Sequence, residues 1–191
     1  MASDVDICNL SLQRLGAKSI ASLAEDSTAG RACNRVYAHA RDSELRDHAW
    51  SFARARVQIA ADSTDPTFGF AKRYALPSNY LRILPNDAVN GTSSQGDWQI
   101  EGRHILTNDT SPINLVYIKQ ITDENDFDEQ FIELLVARIA MDIAEAVTQS
   151  NTKQDAATER YIDAKKKARK TNAFERPPQE PPTDPWVTAR L

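Results

Sequence analysis

A chain of 191 residues with 41% hydrophobic and 26% charged residues has the make-up of an ordinary globular protein, long enough to bury a core without disulfide or metal staples. Its formal charge of −4 leaves no overall basic footprint, which argues against a dedicated nucleic-acid binder, and two cysteines make neither a disulfide framework nor a zinc-site spacing. No apolar run approaches the roughly 20 residues of a membrane span, and MASDVDICNL lacks the basic and apolar parts of a secretory signal, so the sequence predicts folding in a reducing cytoplasm with no membrane partner.

The first predicted element is a helix over 3–16, where Val5, Cys8, Leu12 and Leu15 recur on one face, Ser3 or Asp4 caps the start and Gly16 stops the end. A polar loop follows, pinned by Ile20 and Leu23. The second helix runs from Asp26–Ser27 to about Trp50, with a broad apolar stripe through Ala29, Cys33, Val36, Tyr37, Ala40, Leu45 and Trp50. Arg31, Arg35, Asp42 and Arg46 share its other face, where Asp42 and Arg46 have the spacing of a helical ion pair. Both cysteines fall within these apolar patterns, as small buried hydrophobes do.

At Phe52 the period changes. FARARVQIA reads as a strand, and RYALPSNYLRIL gives two short extended pieces around Leu76–Pro77, where proline disfavours helix for the residue before it. PNDAVNGTSSQGD is a polar loop, and a hairpin through Glu101–Gly102 joins Trp98–Ile100 to Ile105–Thr107. INLVYIKQI is a last strand whose nearly continuous apolar middle predicts cover on both faces.

Asp126 and Glu129 have the spacing of a capping box and predict the start of a third helix. Beyond them the chain is apolar except for a stripe of Arg138, Asp142, Glu145 and Gln149, so this helix must be packed on several sides. A fourth helix from about Thr152 to Thr171 has only a thin apolar side of Ala156, Ala157, Tyr161, Ala164 and Ala168. Its acidic start and its basic end (Lys165, Lys166, Lys167, Arg169, Lys170) complement the helix dipole. The same basic run is the candidate polyanion contact of the chain; no aromatics are interleaved to stack on bases.

Five prolines between 177 and 185 exclude regular hydrogen-bonded structure from the tail. Trp186, Val187 and Leu191 are large apolar residues that such a segment cannot bury by itself, which suits either a disordered end or an arm anchored in a partner's pocket. Dispersed His39, His48 and His104 offer no metal set, and DENDFDE (123–129) puts Phe127 where a calcium loop needs an oxygen ligand. No nucleophile motif or phosphate loop is present, so the sequence predicts no catalytic, cofactor or metal residues. The expected fold class is α+β: a helical bundle from 1–51 and 120–172, an antiparallel β-rich insertion over 52–119, and an extended arm over 173–191.

Three stretches, LQRLGAKSIASLAEDSTAGRACNRVYAHARDSELRDHAWSFARARV, RYALPSNYLRIL, and WQIEGRHILTN followed by FDEQFIELLVARIAMDIAEAVT, occur in an order that resembles the tail tubular protein A family. These are the head-to-tail adaptors of short-tailed bacteriophages. The resemblance covers most of residues 5–150 and implies a structural virion protein without catalytic residues, made in the bacterial cytoplasm. It implies a ring of about twelve subunits beneath the portal protein, above the tail nozzle protein, with non-specific contact to channel DNA as a further expectation. It also implies that the arm grips the portal, which would make Phe174, Trp186, Val187 and Leu191 the contact residues, and that the β insertion with its 86–97 loop meets the next tail component. The alternative from a different class is a virion-associated cell-wall-degrading enzyme.

Overall fold

The computed structural model describes residues 3–84 and 98–175. The fold class is the expected one, four helices with two small antiparallel sheets. The loop at 86–97 and the tail residues Trp186, Val187 and Leu191 lie outside the described residues.

Helix α1 (Asp4–Arg14) begins at Ser3, whose hydroxyl accepts from the Asp6 amide while the Asp6 carboxylate accepts from the Ser3 amide. It ends where Gly16 turns left-handed at φ 68, with Gly16 N–H bonded to the Gln13 carbonyl and Ala17 N–H to that of Leu12. Helix α2 (Thr28–Asp47) starts at Ser27, whose hydroxyl accepts from Gly30 N–H. A side chain at Gly30 would meet the Glu25 carbonyl at 2.5 Å, so glycine lets the preceding loop fold tightly onto the helix start.

The strands are β1 (Arg54–Ile59), β2 (Lys72–Ala75), β3 (Tyr80–Ile83), β4 (Trp98–Glu101), β5 (His104–Thr107) and β6 (Ile113–Lys119). They form two antiparallel sheets in the orders β1-β6-β3 and β2-β5-β4. The hairpin pairs Glu101 with His104, so its turn is Gly102–Arg103, one residue beyond the expected Glu101–Gly102. Gly102 takes φ 57, which glycine adopts without steric cost.

β6 explains its own apolar run. Ile113, Leu115 and Tyr117 enter a core of the β unit with Tyr74, Leu76, Ile83 and Ile105, while Val116 and Ile118 enter the core of the helices. Successive side chains of one strand point to opposite faces, so β6 is the shared wall of two cores. Phe52, Ala53 and Leu84 join it on the helical side. The chain enters and leaves the β unit side by side, with Lys119 N–H donating to the Ala53 carbonyl at 2.9 Å.

Helix α3 (Glu129–Thr148) runs through the middle of the helical core, burying Phe131, Leu134, Leu135, Val136, Ile139, Ile143 and Ala144. The expected cap at Asp126 is not the one used. Residues 124–126 form a 3-10 turn, Phe127 becomes extended, and Asp128 caps α3 by accepting from Gln130 N–H. The cause is Phe127: its ring packs at 5.2 Å from Phe131 and 6.3 Å from Phe52, and burying it shifts the helix start past Asp126. The short turn Gln149–Ser150, with Gln149 at φ 50, then leads into α4 (Asn151–Phe174), which packs antiparallel on α3.

The expected pair Asp42–Arg46 is replaced by other bonds, one to the adjacent Arg41 and two across to the β unit and its exit. Asp42 accepts from Arg41 Nε at 2.9 Å and Gln120 Nε2 at 2.6 Å, and Arg46 donates to the Leu81 carbonyl. Both residues tie α2 to the β unit instead of to each other. Among the described residues no helix is long and apolar enough to cross a membrane.

Candidate functional site

The candidate residues that fall within the described chain lie on α4 and at its end. α4 buries little of its own apolar surface: only Ala157, Ala168 and Asn172 are fully covered. What fastens it is a charged cluster against α2 and α3. Glu44 of α2 is 1% exposed, and its Oε1 accepts from the Tyr161 hydroxyl at 2.7 Å and from Arg138 at 3.3 Å. Among the described residues its Oε2 makes no hydrogen bond, and it faces Lys165 Nζ at 3.7 Å.

Lys165 also donates to the Tyr161 hydroxyl at 2.8 Å and pairs with Asp47 at 3.0 Å, where Arg169 joins it. Arg138 Cζ and Lys165 Nζ lie 5.5 and 5.2 Å from the Tyr161 ring centre, within cation–π range. Burial pulls the Lys165 ammonium down, but Tyr161, Asp47 and Glu44 outweigh it and hold its pKa above the usual value. Burial pushes Asp47 up, yet the bonds from Lys165 and Arg169 win and hold it below the usual carboxylate range. The cluster thus keeps α4 charged and in register.

The basic run therefore divides. Lys165 and Arg169, expected as polyanion contacts, both pair with Asp47 of α2, which their spacing of one helical turn puts opposite them; Lys165 is half-buried there, while Arg169 stays 43% exposed. Lys166, Lys167 and Lys170 are exposed. Among the described residues Lys166 pairs with the exposed Asp163, at 3.8 Å.

At the far end, Asn172 clamps α4 to the segment between α2 and β1. Its Oδ1 accepts from the Ser51 amide at 2.8 Å and hydroxyl at 2.9 Å, while Nδ2 lies 3.0 Å from His48 Nε2 and donates to the Ala49 carbonyl at 3.2 Å. His48 stacks edge-on against Trp50 at 4.8 Å, so the clamp stands on the aromatic cluster of Trp50, Phe52, Phe127 and Phe131. Phe174, expected as an arm residue, is instead the last residue of α4, and it is 78% exposed. The helix continues past the expected stop at Thr171 because Asn172 is anchored there.

Elsewhere the titratable groups have local duties. His104 lies 3.5 Å from Asp62, which also accepts from Arg73. Asp123 accepts from the Asn125 amide and amide side chain, which hold its carboxyl below the usual range. Among the described residues no cluster of His, Cys, Asp and Glu has metal-site geometry. A cleft of about 230 Å³ between α1, α3 and α4 has an apolar floor of Leu15, Ala137, Ala140 and Ala157. Lys153 on its rim is bound to the Leu15 carbonyl at 2.8 Å, which makes it a cap for α1.

Reading the sequence missed the Glu44 cluster and the Asn172 clamp. The signal for the first was present: Arg41 and Glu44 fall within the apolar stripe of α2, one turn after Tyr37 and Ala40. No family model matches this chain, and no curated protein is significantly similar to it.

Proposed function

We propose that this chain is a structural virion protein, the head-to-tail adaptor of a short-tailed bacteriophage, forming a ring of twelve subunits between the portal and the tail nozzle and continuing the DNA channel. The order of segments supports this reading, and one structural observation carries it furthest. Asn172 fixes the end of α4 beside the neck where the chain passes from helices into the β unit, and leaves Phe174 projecting. A segment that leaves from such a point has a defined origin relative to both units, which is what an arm reaching a neighbouring ring requires.

On this reading Phe174, Trp186, Val187 and Leu191 contact the portal, and the β unit faces the nozzle. Lys166, Lys167 and Lys170 remain for non-specific contact with channel DNA. The test is docking on the portal protein of the same phage. Trp186→Ala should lower affinity about thirtyfold, as loss of a buried aromatic anchor worth ~2 kcal/mol does, with folding unchanged. A chain ending at Phe174 should lose more. Unchanged docking by the truncated chain would overturn the arm assignment, and peptidoglycan turnover without portal binding would favour the enzyme.

A further inference from the structure

The cleft between α1, α3 and α4 exists because its walls are small. Ala137 and Ala140 of α3 line it together with Ala156 and Ala157 of α4, and side chains of one carbon cannot close the space between three helices. At about 230 Å³ it suits a single large side chain better than a whole small molecule. Its rim is basic. Arg14 pairs with Glu133, but among the described residues Lys153 and Arg160 have no carboxylate: Lys153 donates to the Leu15 carbonyl at 2.8 Å and Arg160 to that of Arg14 at 3.5 Å. Two other grooves, one lined by Asp6 and Leu10 and one by Asp142 and Glu145, present acid instead.

The chain beyond α4 has the complementary chemistry. Residues 177–187 carry Glu180 and Asp184 and no base, and Trp186 follows Asp184 with one proline between them. From Phe174 back to Ala157, α4 runs about 25 Å. Trp186 stands twelve residues beyond Phe174, a span of about 37 Å for an extended proline-rich chain. It can therefore double back along α4 to the cleft, with length to spare for the turn.

We propose that in the free protein Trp186 seats in this cleft of its own chain, with Asp184 beside Lys153 and Arg160. A linker of this length holds Trp186 at about millimolar concentration over the cleft, so a seat as weak as a Kd of ~1 mM is filled about half the time. Such a seat shields the indole before assembly and yields to any tighter pocket. That the tighter pocket belongs to the portal rests on the arm reading above; the seat itself does not.

Disulfide trapping in the full chain tests it. Ala156→Cys puts a thiol on the cleft and Val187→Cys puts one beside Trp186, while Cys8 and Cys33 are fully buried and stay out of the reaction. Ile162→Cys, paired with Val187→Cys, is the control. Ile162 is 45% exposed and closer to Phe174, and helical spacing puts it on the opposite side of α4 from Lys153, Ala156, Ala157 and Arg160. Each rate under a small disulfide oxidant is divided by that of the same α4 thiol with iodoacetamide, which removes differences in thiol reactivity. The 156–187 bridge should then form at least about fivefold faster than the 162–187 bridge, whereas an unseated tail would favour the nearer position. Arg160→Glu should remove the difference, and Asp184→Arg added to it should restore it. Helical circular dichroism should stay unchanged, since Ala156, Arg160 and Ile162 are exposed. Equal or reversed rates would overturn the seat, and so would a preference that ignores Arg160→Glu. Disulfide-linked dimers in place of bridged monomers would overturn it too, by putting Trp186 on a neighbouring copy. None of these results bears on docking to the portal, by which the arm reading is judged.

Discussion

α3 and α4 are neighbours of similar length, held in opposite ways. α3 is buried along most of its circumference and sits on the aromatic cluster at the neck. α4 buries two alanines and one asparagine and is fastened by Glu44, Asp47 and the Asn172 clamp. Apolar burial fixes α3 without regard to what lies outside the molecule. Charge fixes α4 in register while sparing its outer face, so the helix can belong to the fold and to an assembly together.

Removing an aromatic from the α3 side should cost most. Phe131 is fully buried and touches Trp50, Phe52 and Phe127, so Phe131→Ala should lower stability by about 3–5 kcal/mol. Chemical denaturation would show it as a lower midpoint with an unchanged slope. A loss under about 1 kcal/mol would mean that the aromatic cluster does not hold the neck.

The α4 side should respond less. Glu44→Gln keeps the shape but leaves Arg138 and Lys165, which retain some solvent contact and other partners, without their shared buried carboxylate. The loss should be about 2 kcal/mol, below that of a fully buried pair. Amide exchange should quicken in α4 before α3. Equal quickening in both helices would remove the distinction between them.

The smallest effect is a pH dependence. The folded-state pKa of Asp47 is lowered, so its contribution is fully present above the unfolded-state value near 4 and is lost as pH falls through the folded value. Because Asp47 is 40% exposed, solvent screens the pairs and the contribution is about 0.5–1 kcal/mol. Asp47→Asn should flatten that part of the acid stability profile. A profile identical to wild type below pH ~4 would show that the pairs contribute nothing.

The comparison also separates what could be read in the sequence from what could not. Period alone places α3 and the two-sided strand β6, because burial on every side writes itself as a continuous apolar run. Ser27 and Gly16 mark helix ends through local chemistry, and the structure uses both. Local chemistry failed at Asp126, where the capping pattern lost to the burial of Phe127, a tertiary effect. It failed again at Lys165 and Arg169, whose spacing gives their common side but not the carboxylate opposite them. Glu44 stands out only as a charged residue within the apolar stripe of α2, its partners unspecified, and Asn172 is invisible to pattern because it acts through residues distant in the chain.

Imaging the full chain mixed with its portal protein by electron microscopy tests the adaptor reading most directly. The account predicts rings of the chain seated on the portal, with the β unit directed away from it. Portal particles that stay bare at concentrations saturating for the chain would contradict it.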